Sequence, residues 1–288
     1  MPELGDRRSH GCHTWLVNDG PEKTSDPTVR PSLPDAPPTP VGSEAGVTSG
    51  HSGSHHLIGH DLIGHIEDRL APAWRRVTNG EARWPVTVAV LAAIGLQAAL
   101  PERLALLRSW TLPAIEGAIL VVLTVANPHR INRHSKGLRI TSLTLIAAMT
   151  FANTFAAARL IRGLVKGTEG TDPTKLLLTG AGIWLTNVVV FSLWYWEFDR
   201  GGPAARAHAT VRHPDFVFPQ MQSPELVDEH WEPMFIDYLY VSFTNATAFS
   251  PTDTLPFTRW AKMTMMTQSA VSLITVGLVI ARAVNILK

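Results

Sequence analysis

Phe235-Ile-Asp-Tyr-Leu-Tyr-Val-Ser-Phe-Thr-Asn-Ala-Thr-Ala-Phe249 is apolar and aromatic. It is nevertheless too short to cross a bilayer, whose ~30 Å core needs about 20 residues of helix. It runs directly into Ser250-Pro251-Thr252-Asp253, where Pro251 cannot continue a helix. A half-length helix that ends in polar, non-helical backbone predicts a re-entrant segment over 235–253. Such backbone is tolerated at membrane depth only where it packs in protein or lines a water cavity.

The flanking sequence supplies that setting. Apolar stretches at 84–100, 110–126, 140–160, 176–196 and 263–287 predict five membrane spans. Pro101 ends the first, Asn127-Pro128 ends the second, and Trp194-Tyr195-Trp196 closes the fourth as an interfacial aromatic belt. The expected fold class is an all-α membrane protein, with five transmembrane helices, a re-entrant pore-type helix and loop before the last, and a disordered tail in front. Only 17% of the 288 residues are charged, against about 25% in an ordinary soluble domain, which excludes a single soluble globule. Residues 197–232, acidic and proline-rich, read as a water-exposed loop.

Residues 1–56 are rich in Pro, Gly, Ser and His and hold no long apolar run, so they read as a disordered tail. The stretch 57–83 reads as an amphipathic helix on the membrane surface. Leu57, Ile58, Leu62, Ile63, Ile66 and Leu70 would form its apolar side, and Arg69, Arg75 and Arg76 would meet anionic lipid. His56 and His60 would share a helix face, but two glycines and no bracing carboxylate make a poor metal cage, so a flexible polar stretch is the preferred reading. Met1–Gly20 has no apolar signal-peptide core. The single cysteine, Cys12, excludes an intramolecular disulfide, and a net charge of +1 gives no field for nucleic acid.

Inside the spans, Glu116 is an intramembrane carboxyl that must face a cavity, a partner or the headgroups. Asn153 and Asn187 read as interhelical hydrogen bonders, and Gly180 and Gly182 as points of close helix approach. No carboxylate pair, nucleophile motif, metal cluster or phosphate loop occurs among them. No catalytic residue, metal or cofactor is expected, and the chain reads as a non-enzyme.

Tyr238 to Lys262 resembles the pore helix, filter and following turn of tetrameric potassium-channel pores. Aromatics and Ser242 precede Thr244 and Thr247, a filter-length strand follows, and Asp253, Pro256-x-Thr258 and Trp260 lead into the next helix. Gly277 falls where such inner helices carry a hinge glycine. The filter itself departs from that pattern. Ala248-Phe249-Ser250-Pro251-Thr252-Asp253 lacks the glycines that let successive carbonyls face the axis. The resemblance implies that Thr247, Ser250, Thr252 and the Asp253 carboxylate would line a path for hydrated cations. Tyr238, Tyr240 and Phe243 would then pack the helix flank against the fourth and fifth spans, while Thr244 and Thr247 face the polar path. The hydrophobic region as a whole also resembles a family of uncharacterised five-span bacterial inner-membrane proteins. That likeness rests on Leu107-Arg-Ser-Trp110, Phe216-Val-Phe-Pro219, Tyr240-Val-Ser-Phe243 and Ser250-Pro-Thr-Asp253.

The expected function is an oligomeric, weakly selective cation channel with a filter unlike that of potassium channels. The expected setting is a multi-pass protein of the bacterial inner (plasma) membrane, with the lipid bilayer, copies of itself (a tetramer) and permeant cations as partners. The alternatives are a non-conducting structural or interaction protein and a small-molecule transporter. The channel resemblance implies re-entry from outside. The cations of loop 127–139 (Arg130, Arg133, Lys136, Arg139) favour re-entry from the cytoplasm, and this charge argument, drawn from several loops, carries more weight.

Overall fold

The computed structural model describes residues 73–107, 110–131, 135–169, 172–247 and 253–287. The tail, the histidine cluster and the start of the expected surface helix lie outside them. Six helices dominate: α1 (Trp84–Ala98), α2 (Thr111–Ala126), α3 (Lys136–Lys166), α4 (Pro173–Phe198), α5 (Phe235–Thr247) and α6 (Arg259–Leu287). Two-residue strands β1 (Glu81–Ala82) and β2 (Arg130–Ile131) pair antiparallel, as do β3 (Phe216–Val217) and β4 (Leu255–Pro256).

Local sequence explains the helix ends. Asp172 precedes Pro173 at the first position of α4 and accepts from the backbone N–H groups of Thr174 and Lys175 at 3.0 and 3.1 Å. Gly167 ends α3 in the left-handed region, with φ 70°. Three helical stretches, Lys136–Lys166, Pro173–Ala207 and Arg259–Leu287, are long and apolar enough to cross a membrane. Helices α1 and α2 are apolar but have only 15 and 16 residues.

Helix α4 is the axis of the bundle and touches α1, α3, α5 and α6. Its most apolar window is 61% buried, against 22% for that of α6. In a bilayer, lipid tails are as apolar as the helix surface, so close packing and interhelical polar contacts hold such an axis. A Cβ at Gly180 would lie 2.8 Å from Val279 Cγ1, so glycine there sets the approach of α4 to α6. One core cluster gathers Val90, Met149, Val190, Phe216, Tyr238 and Met265; a second, at the other end, gathers Leu104, Ala156, Leu160, Ile183 and Val279.

Two expectations are corrected here. Residues 197–232 do not form an open, water-exposed loop over their whole length. Their first half folds into a cap over one end of the bundle, because its charges find partners far away in sequence. Asp199 is fully buried, and its Oδ1 accepts from the backbone of Asp215 at 2.8 Å. The Arg206 guanidinium donates to the carbonyls of Trp196 (2.6 Å) and Asp199 (3.0 Å) and lies 4.0 Å from Glu81. Arg200, in the left-handed region at φ 50°, donates through its guanidinium to the Trp74 carbonyl at 2.5 Å. Phe216 and Phe218 are buried beneath this layer. Residues 73–83, the end of the expected surface helix, are likewise not α-helical. They form a 3-10 turn at Ala73–Arg75 and then β1, with Trp74, Glu81 and Arg83 buried under the cap.

Candidate functional site

Helix α5 starts and ends on specific contacts. Asp237 reaches back to accept from the Met234 N–H at 2.8 Å, as an acid at the third helical position does in a capping box. The Phe235 N–H donates to buried Glu81, which also accepts from Trp196 Nε1 at 2.7 Å. Burial pushes the Glu81 carboxyl above the usual glutamate range, and Arg206 and these two N–H donors pull the other way. One face of α5 (Phe235, Tyr238, Val241, Ser242, Ala246) is buried at helical spacing, while Ile236, Tyr240 and Phe243 stand exposed on the other.

The buried face is held by a polar network between α4, α5 and α6. Gln268 of α6 is fully buried. Its Nε2 donates to the Ser242 carbonyl at 2.9 Å and hydroxyl at 2.6 Å. Its Oε1 accepts from the Tyr195 hydroxyl at 2.6 Å and from Asn245 Nδ2 at 2.8 Å. Ser242 in turn donates to the Val188 carbonyl at 2.6 Å. Ser269 lies 3.0 Å from Asn245 Oδ1 and 3.1 Å from the Asn245 carbonyl. The Trp184 indole reaches the Ala246 carbonyl at 3.5 Å. Two carbonyls of the last turn, which a helix leaves without intrahelical partners, are thus met by side chains of neighbouring helices.

The expected site residues fall at several places. Thr244 donates to the carbonyls of its own helix at Tyr240 (2.9 Å) and Val241 (3.1 Å), and Thr247 to that of Thr244 (2.8 Å). Both hydroxyls bond back along α5. Ala248, Phe249, Ser250, Pro251 and Thr252 lie outside the described residues. Asp253 is exposed, and among the described residues it forms no ion pair with Arg259. Gly277 lies at an exposed position in an α6 that runs unbroken from Arg259 to Leu287. Of the expected flank residues, Tyr238 is buried against the rings of Phe216 and Phe218, while Tyr240 and Phe243 are 57% and 47% exposed; Phe243 meets the Trp184 ring edge-on at 5.8 Å.

The polar residues of the other helices separate as well. Glu116 is fully buried in α2, where the Gln97 amide, oriented to satisfy both groups, donates to it at 3.3 Å. Asn187 donates to Ser272 at 3.0 Å, bridging α4 and α6. Asn153, also expected to bond between helices, is buried with its Oδ1 unpartnered. Among the described residues no group of three or more His, Cys, Asp or Glu could hold a metal ion. The sequence reading missed Gln268, Asn245, Ser242 and Tyr195. The signal for Gln268 was present: an amide within an apolar span, the same mark that singled out Asn153 and Asn187.

No family model, curated protein or solved structure matches the chain.

Proposed function

We propose that the chain is a multi-pass membrane protein of the pore-loop type. In this reading α1, α2, α3, α4 and α6 cross the bilayer, and α5 enters and returns on the side that carries the cap. Several copies, most simply four, would ring α5 and α6 around a weakly selective path for cations. The observation that carries the reading is that both ends of the segment return to one place. Phe235 at the start of α5 is bonded to Glu81, and Trp260 at the start of α6 donates to Asp215 at 2.9 Å. The β3–β4 pair closes the same end, Phe216 opposite Pro256. A short helix whose chain leaves and rejoins one end of a bundle is what re-entry requires.

Further support comes from uncovered apolar surface. Met263, Met266, Leu273, Ile280 and Val284 stand exposed along α6, beside Tyr240 and Phe243 of α5. Lipid or a second copy has to cover them. Helices α1 and α2 rise about 22–24 Å at 1.5 Å per residue, so they cross with the help of flanking residues or local thinning of the bilayer. Arg75, Arg76, Arg83, Arg130, Lys136 and Arg139 flank the cap-side ends of α1, α2 and α3, and by the positive-inside rule these cations favour the cytoplasmic face of a bacterial inner membrane for that side.

A second reading, a non-conducting brace, is favoured by the closed network itself. Ser242, Asn245, Gln268 and Ser269 satisfy one another, and Ser269 and Trp184 meet two last-turn carbonyls of α5. Purification into nanodiscs, particle symmetry and single-channel recording separate the two. A fourfold ring with 244–253 about its axis and cation currents supports the pore. A monomer or dimer with that segment buried laterally, silent at all voltages, supports the brace.

A further inference from the structure

Beneath the cap, away from α5 and α6, a cavity of about 230 Å³ opens between α1, α2, α3 and α4. Its floor is apolar: Val86, Val90, Leu120, Leu123, Ile146 and Leu193. Its mouth is polar and cationic, with Arg83, Asn127, Lys136, Arg139, Ser142 and Glu197. The one acid of the wall is already engaged. Glu197 accepts from Ser142 at 3.2 Å and lies 4.0 Å from Arg139.

Arg83 is not engaged. It is only 8% exposed, its Nε has no hydrogen-bond partner, and it makes no ion pair among the described residues. Burial alone holds its guanidinium below the usual arginine range. A buried guanidinium without an anion is costly, and here it faces a cavity that can admit one. The amino end of α3 enters the same mouth: Ser135 and Lys136 line it, and the Ser135 side chain makes no capping bond to this 31-residue helix. The N–H groups of its first turn, which have no partner within the helix, add to the positive field.

We propose that this cavity binds an anionic amphiphile, its acidic headgroup on Arg83, Lys136 and the amino end of α3 and its alkyl chain on the floor between α1, α2 and α4. The volume falls below the ~300–1,000 Å³ of drug-sized pockets, so the site takes a headgroup and the first carbons of one chain. A carboxylate or a phosphate meets the same donors, and a free fatty acid or an acidic phospholipid of the bilayer could bring it. This site does not depend on conduction and stands whether or not the pore reading holds.

The test uses the full-length protein in phosphatidylcholine nanodiscs, with thermal unfolding followed as oleate, oleyl alcohol or dioleoylphosphatidylglycerol is added. Oleate should raise Tm by several degrees and the uncharged alcohol should not. If phosphatidylglycerol alone saturates the shift, the bilayer is the source; if only oleate shifts it, the free acid is. Lys136→Gln, at an exposed position, should weaken the response about tenfold, the order that one lost charge-assisted hydrogen bond is worth. Arg83→Gln should abolish the preference for the acid, and Val90→Phe should block both ligands from the floor. An equal response to oleate and oleyl alcohol overturns the proposal, as does a response unchanged in Lys136→Gln and Val90→Phe, whatever the fate of Arg83→Gln.

Discussion

The Tyr238 hydroxyl donates to the fully buried Asp199 carboxylate at 2.5 Å, which ties the first turns of α5 to the end of α4. Without that donor, Asp199 would keep the Asp215 N–H and the Arg200 guanidinium at 3.7 Å. A hydrogen bond to a buried charged group is worth about 1.5–3 kcal/mol. Tyr238→Phe should therefore lower stability by about that amount, measured by SDS titration of the protein in bicelles. A change below about 0.5 kcal/mol would mean that Asp199 is satisfied without it.

The network on Gln268 makes a separate claim. Gln268→Leu removes the acceptor of the Tyr195 hydroxyl and one partner each from Ser242 and from the Asn245 amide, which keeps the Met265 carbonyl at 2.9 Å. Interhelical hydrogen bonds in membranes average about 0.6 kcal/mol, and unsatisfied groups cost more, so a loss of about 1–3 kcal/mol is expected. Any current carried by the molecules that still assemble should keep its unitary size, because Gln268 faces α4 and α5. A changed unitary current at intact symmetry would place Gln268 on the permeation path.

Glu81 gives a pH signature. Its folded carboxyl holds a proton more tightly than an unfolded one, because burial outweighs the pull of Arg206 and of the Trp196 and Phe235 N–H groups. The native state therefore binds more protons than the unfolded state between the ordinary glutamate value and the raised folded one. Stability should fall as pH rises through that window. Glu81→Gln removes this component of the slope. It also lowers stability at neutral pH, since the two donors sit on different carboxylate oxygens and the amide nitrogen would face one of them. Unfolding at constant salt from pH 4 to 8 checks both; an unchanged slope in the variant would show that Glu81 is not its source.

The long helices were legible because each carries its own apolar run, and the α5 segment because a short run meets Pro251. The cap was not legible. Asp199, Arg200 and Arg206 look like solvent-facing charges in a proline-rich loop. Their burial depends on Glu81, Trp74 and Tyr238, contacts that no local pattern announces. Thr244 and Thr247 were expected on a polar path, yet a threonine inside a helix bonds readily to the carbonyl three or four residues back. Tyr240 and Phe243 were expected to pack the helix flank against the fourth and fifth spans; Phe243 meets Trp184 of α4, while the helical period that buries Tyr238, Val241 and Ser242 leaves Tyr240 exposed.

Asp253 carries the sharpest test of the pore reading. It is exposed where the chain comes back toward the cap, one residue before buried Thr254 and two before β4. In a ring of four copies, four such carboxylates at the mouth would concentrate cations, an effect that salt screens over ~8 Å at physiological ionic strength. Asp253→Asn should then reduce unitary cation current at low salt and matter progressively less as salt rises, with the assembly intact. An exposed side chain without an ion pair to Arg259 contributes little to folding, so assembly should survive the change. Equal currents at low salt would remove Asp253 from the mouth. Failure to assemble would assign it a bracing role. A wild-type protein silent under every voltage and pH would leave the brace as the reading of α5.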